Sequence, residues 1–294
     1  MALDLKKYYP FSGRYLEIDG LRLHYLDEGK GEPIVMLHGN PTWSFFYRDL
    51  VIALRGRYRC IVPDHIGCGL SDKPGDNRYP YTLERRVSDL DRLLSALGTD
   101  SGITLVLHDW GGMIGMAWAV RNPLQVKRLV IMNTAAFHLP HGKRLPLPLK
   151  ICRDTLLGCL LVRGFNAFSL TASFIGCKRN PMPAELRRAY RLPYDSWQNR
   201  IATLRFVQDI PLNTGDRSYD LVNRTEAGLS TFSNLPMAIF WGERDFVFNR
   251  TFLAEWRRRF SNAEVHIYPD AGHYILEDAK EEVIPLIIEF LTRT

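Results

Sequence analysis

The feature that most restricts the fold is a rhythm of short, uninterrupted apolar runs separated by helical segments. "PIVMLHG" (33–39), "YRCIVPD" (58–64), "ITLVLHD" (103–109) and "VKRLVIMNT" (126–134) each read as a strand without polar alternation. Such a strand must be covered on both faces, which is the condition of a parallel sheet flanked by helices. The intervening helices match. "TLERRVSDLDRLLSALG" (82–98) is apolar at positions 83, 87, 90, 94 and 97, one stripe of a 3.6-residue period. The rhythm resumes at "PMAIFWGERD" (236–245) and "AEVHIYPDAGH" (263–273), and ends in a helical "EEVIPLIIEFL" (281–291). Ahead of it, "RYLEIDGLRLHYLDEG" alternates on either side of Asp19-Gly20, a hairpin signature. The expected class is α/β, with a mostly parallel central sheet and helices on both faces.

The rhythm breaks once. Between Phe137 and about Gly215 there are prolines and helical stretches such as "AELRRAYRLPY" and "WQNRIATLRFVQDI", but no convincing strand. Residues 138–215 are read as a helical cap inserted after the sixth strand, over the carboxyl end of the sheet. Residues 1–137 and 216–294 then form the core domain. Within the insertion, "TLLGCLLV" (155–162) is expected to be cap interior, with membrane contact as the alternative. Charge divides along the same boundary: 12 Lys and Arg against 4 Asp and Glu give 138–215 a charge of +8, leaving −2 of the chain's +6 for the rest. That excess suits a solvated basic face, or docking to an acidic partner or surface, including a homo-oligomer or a larger enzyme assembly. No nucleic-acid reading motif accompanies it, so nucleic acid is not an expected partner. No apolar run approaches the roughly 18 residues that span a bilayer. The N-terminal "MALDLKKYYPFSG" lacks the apolar stretch of an export signal. The five cysteines (60, 68, 152, 159, 177) have no C-x-x-C spacing, so reduced thiols in the cytoplasm are expected.

The chemistry is concentrated where "ITLVLHD" gives way to "WGGMIGMAW". In open α/β sheets ligands sit beyond the carboxyl ends of the strands. A sharp strand-to-helix turn there lifts one side chain into the pocket and aims a helix N-terminus at it. The usual occupant is serine in G-x-S-x-G; here Asp109 holds the position and Leu107 replaces the first glycine. A carboxylate at a helix N-terminus is already ionised, and it can attack an sp³ carbon to form an alkyl ester. An N-cap aspartate without chemistry is the plain alternative.

Three further stretches speak for chemistry. In "LHGNPTWS" (37–44), the backbone N–H of Asn40 would face the elbow and join that of Trp110 in an oxyanion hole. The Asn40 amide and Trp110 indole are also neutral donors suited to a departing anion such as halide. "YPDAGHYILED" places His273 on a loop after the last strand, where it can serve as a general base toward water. "FWGERDFVF" places Asp245 beyond a strand end, where it can orient His273. Glu243 is a weaker substitute, and the competing position before the cap carries Asn133, which cannot supply charge. His38 and His108 read as turn packing and elbow support. No metal or organic cofactor is expected.

With "LHGNPTWS", "PDHIGCGLSDKP", "LVLHDWGGMIG", "WGERDFVF" and "DAGHYILED" in hand, the chain resembles the haloalkane dehalogenases of the α/β-hydrolase superfamily over nearly its whole length. The resemblance implies an α/β-hydrolase fold, Asp109 as nucleophile, His273 as base, Asp245 as acid, and Asn40 with Trp110 holding halide. "LVRGFNAF" and "FVQDIPL" resemble the third subfamily, which also contains β-lactone decarboxylases of long-chain olefin synthesis with the same catalytic residues. The first expectation is cleavage of carbon–halogen bonds, giving alcohol and halide with water as co-substrate. The alternative is lactone decarboxylation on a long-chain substrate. Epoxide hydrolases share H-D-W-G-G and use two cap tyrosines, for which Tyr190 and Tyr194 are candidates. Phe165, Phe168 and Leu170 are expected along the pocket.

Overall fold

A computed structural model describes residues 4–294; the first three residues of the N-terminal segment lie outside the described residues. After a short helix α1 (Leu5–Tyr8), Asp19 and Gly20, both at positive φ, turn β1 (Arg14–Ile18) into β2 (Leu21–Glu28) as the hairpin expected. The sheet continues with β3 (Pro33–Leu37), β4 (Arg59–Pro63), β5 (Ile103–Asp109), β6 (Val126–Thr134), β7 (Met237–Gly242) and β8 (Glu264–Tyr268). Its eight strands lie in the order β1-β2-β4-β3-β5-β6-β7-β8, with β2 antiparallel to both of its neighbours, β1 and β4, and the other pairings parallel.

The central strands are apolar throughout because each face meets its own helical layer. Val35, Leu37, Leu105, Leu107, Leu129 and Ile131 pack into one core with Leu83, Val87, Leu90 and Leu94 of α3 (Leu83–Ala96) and with α4 (Trp110–Arg121). Their alternates Ile34, Met36, Val106, Val130 and Met132 pack into the other, with α2 (Arg48–Leu54) and α13 (Lys280–Arg293). The start of α3 is fixed by Thr82, whose hydroxyl accepts from the Arg85 N–H.

Between β6 and β7 the chain forms α5 (Leu147–Asp154), α6 (Leu156–Cys159) with a π-helical turn Leu160–Gly164, α7 (Ala167–Ile175), α8 (Ala184–Arg191) and α9 (Ile201–Gln208). α10 (Tyr219–Gly228) then returns to pack on α4. α11 (Arg250–Arg259) joins β7 to β8, and α12 (Ile275–Asp278) precedes α13. The expectation that 155–162 is cap interior is corrected. Gly158 and Val162 are buried, but Leu156, Leu157 and Leu160 face solvent, with Leu156 90% exposed. This short segment is apolar on every side, so burying one side leaves the other uncovered. Among the described residues no single helix is long and apolar enough to cross a membrane. Leu156–Gly164 and Ala167–Ile175 pass that test only as a pair bent by 71°. None of the five cysteines is paired in a disulfide.

Candidate active site

β5 ends and α4 begins with no intervening residue. Asp109 makes the turn at φ 51° and ψ −128°, a conformation costly for a residue with a Cβ. Two neighbouring glycines allow the close approach. A Cβ on Gly111 would lie 1.9 Å from the Leu37 carbonyl oxygen, and one on Gly39 would lie 1.8 Å from Asp109 Oδ1. The carboxylate makes no hydrogen bond to its own helix, which removes the plain N-cap account. Instead the Asn40 backbone N–H donates to Asp109 Oδ1 at 2.6 Å, and His273 Nε2 lies 3.5 Å from Oδ2.

His273 follows β8, and its Nδ1 is 2.6 Å from Asp245 Oδ2. Asp245 follows β7; its Oδ1 accepts from the N–H groups of Val247 (2.7 Å) and Phe248 (3.1 Å). The structure therefore brings Asp109, His273 and Asp245 into one line. Burial alone would push the His273 imidazole down. Asp245 and Asp109 outweigh it and raise it from 6.5 to about 10. Burial likewise acts to raise the Asp109 carboxyl, but His273, His108 and the Asn40 N–H hold it below its ordinary value. The free site is thus a carboxylate–imidazolium pair braced by a second carboxylate.

Asn133 was set aside in the sequence for lacking charge, yet it has a place here. Its amide donates to Asp245 Oδ2 (3.0 Å) and to the Gly242 carbonyl (2.9 Å), and its Oδ1 accepts from the Gly242 N–H (2.9 Å). At the end of β6, with positive φ, it fixes the carboxylate that fixes the histidine. The sequence showed only an amide at a strand end; that it faces the acid follows from the pairing of β6 with β7. His108 supports the elbow as expected, since its Nε2–H donates to the His273 carbonyl at 2.8 Å. Burial pushes its imidazole down to about 3. Asp64, not singled out in the sequence, is fully buried. It accepts from the Ser44 N–H (2.6 Å), the Leu70 N–H (2.8 Å) and His24 Nδ1 (2.8 Å), pinning the loop that carries Asn40.

Asp109, His273, Asn40 and Trp110 open onto one cavity of about 490 Å³, within the usual range of small-molecule sites. Its other walls are almost wholly apolar, with Phe168, Leu161 and Ile151 from the insertion and Phe246 and Phe248 from the loop holding Asp245. The Asn40 amide donates one hydrogen to the Thr203 carbonyl of α9 at 3.0 Å, leaving a second N–H. Of the three residues expected along the pocket, only Phe168 lines it; Leu170 and Phe165 do not, and Phe165 is 68% exposed. Tyr190 and Tyr194 are buried elsewhere. Their hydroxyls donate to Glu277 (2.6 Å) and to the Thr42 carbonyl (3.1 Å), so neither can protonate an opening epoxide.

The family described as alpha/beta hydrolase fold matches residues 32–280. A cis-3-alkyl-4-alkyloxetan-2-one decarboxylase of Shewanella oneidensis is 59% identical, over 97% of this chain and 90% of the relative. A haloalkane dehalogenase of Mycobacterium bovis is 30% identical, over 96% of this chain and 95% of the relative. Among solved structures, the haloalkane dehalogenase DatA from Agrobacterium tumefaciens C58 superposes with a TM-score of 0.85 at 28% identity, covering 96% of each chain. An elbow at the end of β5, a cavity at the carboxyl ends of the strands and these likenesses agree, and the chain belongs to the α/β-hydrolase fold family.

Proposed function

We propose that this protein decarboxylates a β-lactone, a cis-3,4-dialkyl oxetan-2-one, to carbon dioxide and an alkene. The geometry suits either attack on a lactone ring carbon or displacement of halide. The observation that carries the choice is 59% identity to an oxetanone decarboxylase against 30% to a dehalogenase. The order of the two readings drawn from sequence alone is therefore reversed.

In this reading Asp109 attacks the sp³ ring carbon bonded to the ring oxygen, not the carbonyl carbon. That carbon inverts, the ring C–O bond breaks, and the tethered carboxylate swings toward the Asn40 and Trp110 N–H groups. Loss of carbon dioxide then supplies the electron pair of the C=C bond and expels Asp109 as carboxylate. Inversion followed by anti elimination returns the cis alkene, and no water is consumed. Two neutral donors in an apolar cavity hold a carboxylate less well than water does, which favours its departure as carbon dioxide. His273, kept charged between Asp245 and Asp109, offsets the negative charge gathered in the site.

The second reading, hydrolytic dehalogenation, is favoured by the pairing of Asn40 with Trp110 beside Asp109. There halide leaves toward those donors. Esterification removes the charge on Asp109, His273 becomes a stronger acid and releases its proton to solvent, and the neutral imidazole then takes a proton from water. The Asn40 N–H that binds Asp109 Oδ1 would then face the developing oxyanion.

We further assign 138–215 as a cap domain on a core of 1–137 and 216–294, and a cytoplasmic location, supported by the unpaired cysteines. The test supplies purified enzyme with a dialkyl β-lactone and, separately, a brominated alkane. Fast alkene release with negligible bromide is expected. Bromide release without alkene from the lactone overturns the first reading.

A further inference from the structure

We propose that the outer face of the insertion docks on an anionic phospholipid surface, with the cavity mouth turned toward the lipid. Leu156, Leu157 and Leu160 project into solvent from one short helical segment whose opposite side, at Leu161 and Val162, packs inward. A helix apolar all round belongs in a core or against lipid, and this one is at the surface. Gly158 sets it against α5, where a Cβ would meet Ile151 and Cys152 within 2.4 Å. Those two residues line the cavity, and Leu147 of the same helix both lines it and is 68% exposed. Outer face and cavity therefore share a wall, which brings the cavity's exposed edge at Leu147 next to the leucine face.

The charge selects the surface. Residues 138–215 carry +8, against −2 for the remainder; Arg153, Arg179 and Arg205 pair with Asp216, Asp270 and Asp76 outside the insertion, and a basic excess is left after those pairs. Beside the exposed leucines, Arg163 lies over the half-exposed Trp197 ring at 4.6 Å, and Trp197 also reaches Gly164. An indole with its body on apolar surface beside a cationic head suits the boundary between acyl chains and headgroups. Basic residues near an anionic leaflet gain from its negative potential, whereas a neutral bilayer offers no such gain. The docking does not depend on which reaction the site performs, and vesicle binding is read without substrate.

The experiment is co-sedimentation of the full chain with vesicles of phosphatidylcholine alone and of phosphatidylcholine mixed with phosphatidylglycerol. Binding to the mixed vesicles, weaker to the neutral ones and weakened by salt, is expected. Tryptophan emission should shift to the blue on binding, and Trp197→Phe should abolish most of that shift, because Trp43, Trp118, Trp241 and Trp256 are fully buried and Trp110 lies in the cavity wall. Leu156→Ser, Leu157→Ser and Leu160→Ser together should lower the vesicle partition by about tenfold or more, with turnover of a short, soluble substrate unchanged. Should that triple variant fail to fold, Leu156→Glu at the most exposed position gives the same reading. Absence of binding to the mixed vesicles, or undiminished binding by the variants, overturns the proposal. So does a wild-type oligomer that Leu156→Glu splits and that ignores vesicles, since a second copy would then cover this face.

Discussion

At the scale of the residue, His273 separates the two chemistries. It lies 3.5 Å from Asp109 and 2.6 Å from Asp245. If water must attack an aspartyl ester, His273→Ala removes the base and the enzyme stalls after about one turnover per site. If carbon dioxide leaves from a ring-opened lactone, no water is deprotonated and the variant continues to release alkene at a reduced rate. Single-turnover and steady-state product counts on both substrates read this directly. A stalled ester with the lactone would assign hydrolysis to the site. The charge on His273 gives a second prediction. Its imidazole stands at about 10 against an ordinary 6.5, so the pairing stabilises the fold fully below 6.5 and is lost as pH rises through about 10. Asp109→Asn removes one of the two carboxylates responsible. The variant's imidazole should titrate at lower pH by NMR, and its stability should fall less than the wild type's between neutral pH and that limit. Coincident titrations would show that Asp109 does not share the imidazolium.

At the scale of the element, the elbow depends on the closeness of α4 to β3. Gly111→Ala sets a methyl against a backbone carbonyl that cannot rotate away. About 1–3 kcal/mol of stability should be lost, from overpacking alone, with displacement of Asp109 costing activity as well. Denaturant unfolding and turnover of the variant check this; an unchanged midpoint would mean that α4 is free to shift. The same elements show what can be read from sequence. The strand runs, the Asp19-Gly20 turn and the stripe of α3 were legible because period and turn chemistry are local. The placing of Asp109, Asn40 and His273 around one cavity was legible because each sits at or just past a strand end beside unusual glycine or polar neighbours. Asn133 was not, because its value lies in three hydrogen bonds to β7 and its loop, fixed only by sheet order. Nor was the outward turn of Leu156 and Phe165, or the burial of Tyr190 against Glu277. An apolar or aromatic residue in a helical insertion has two possible sides, and tertiary packing chooses between them.

At the scale of the molecule, the insertion is strapped to the rest of the chain at two points. Near its C-terminal end, Asp209 accepts from the Leu83 N–H at 2.7 Å and lies 4.0 Å from Arg86, whose guanidinium sits over Phe206 at 3.7 Å. At its middle, the buried Asp278 accepts from the N–H groups of Lys178 (2.6 Å), Arg179 (2.9 Å) and Asn180 (3.1 Å), and from that of Gly272 (2.7 Å). One carboxylate thus ties the chain after α7 to the loop that presents His273. Asp278→Ala leaves four backbone donors without their acceptor in a place water reaches poorly, where each costs about 1–3 kcal/mol. Relaxation should spare part of that sum, so a loss of about 3 kcal/mol or more is expected in denaturant unfolding. Ala172 and Ile175 of α7 line the cavity, so the loosened strap should also blur its apolar wall. KM for a long-chain substrate should then rise more than KM for a short one, and limited proteolysis should cut near 176–182 where the wild type resists. Asp278→Asn, which keeps one acceptor oxygen and turns the other into an amide donor, should fall between the two. Full resistance to proteolysis in the alanine variant would show that the insertion is held by its apolar contacts alone.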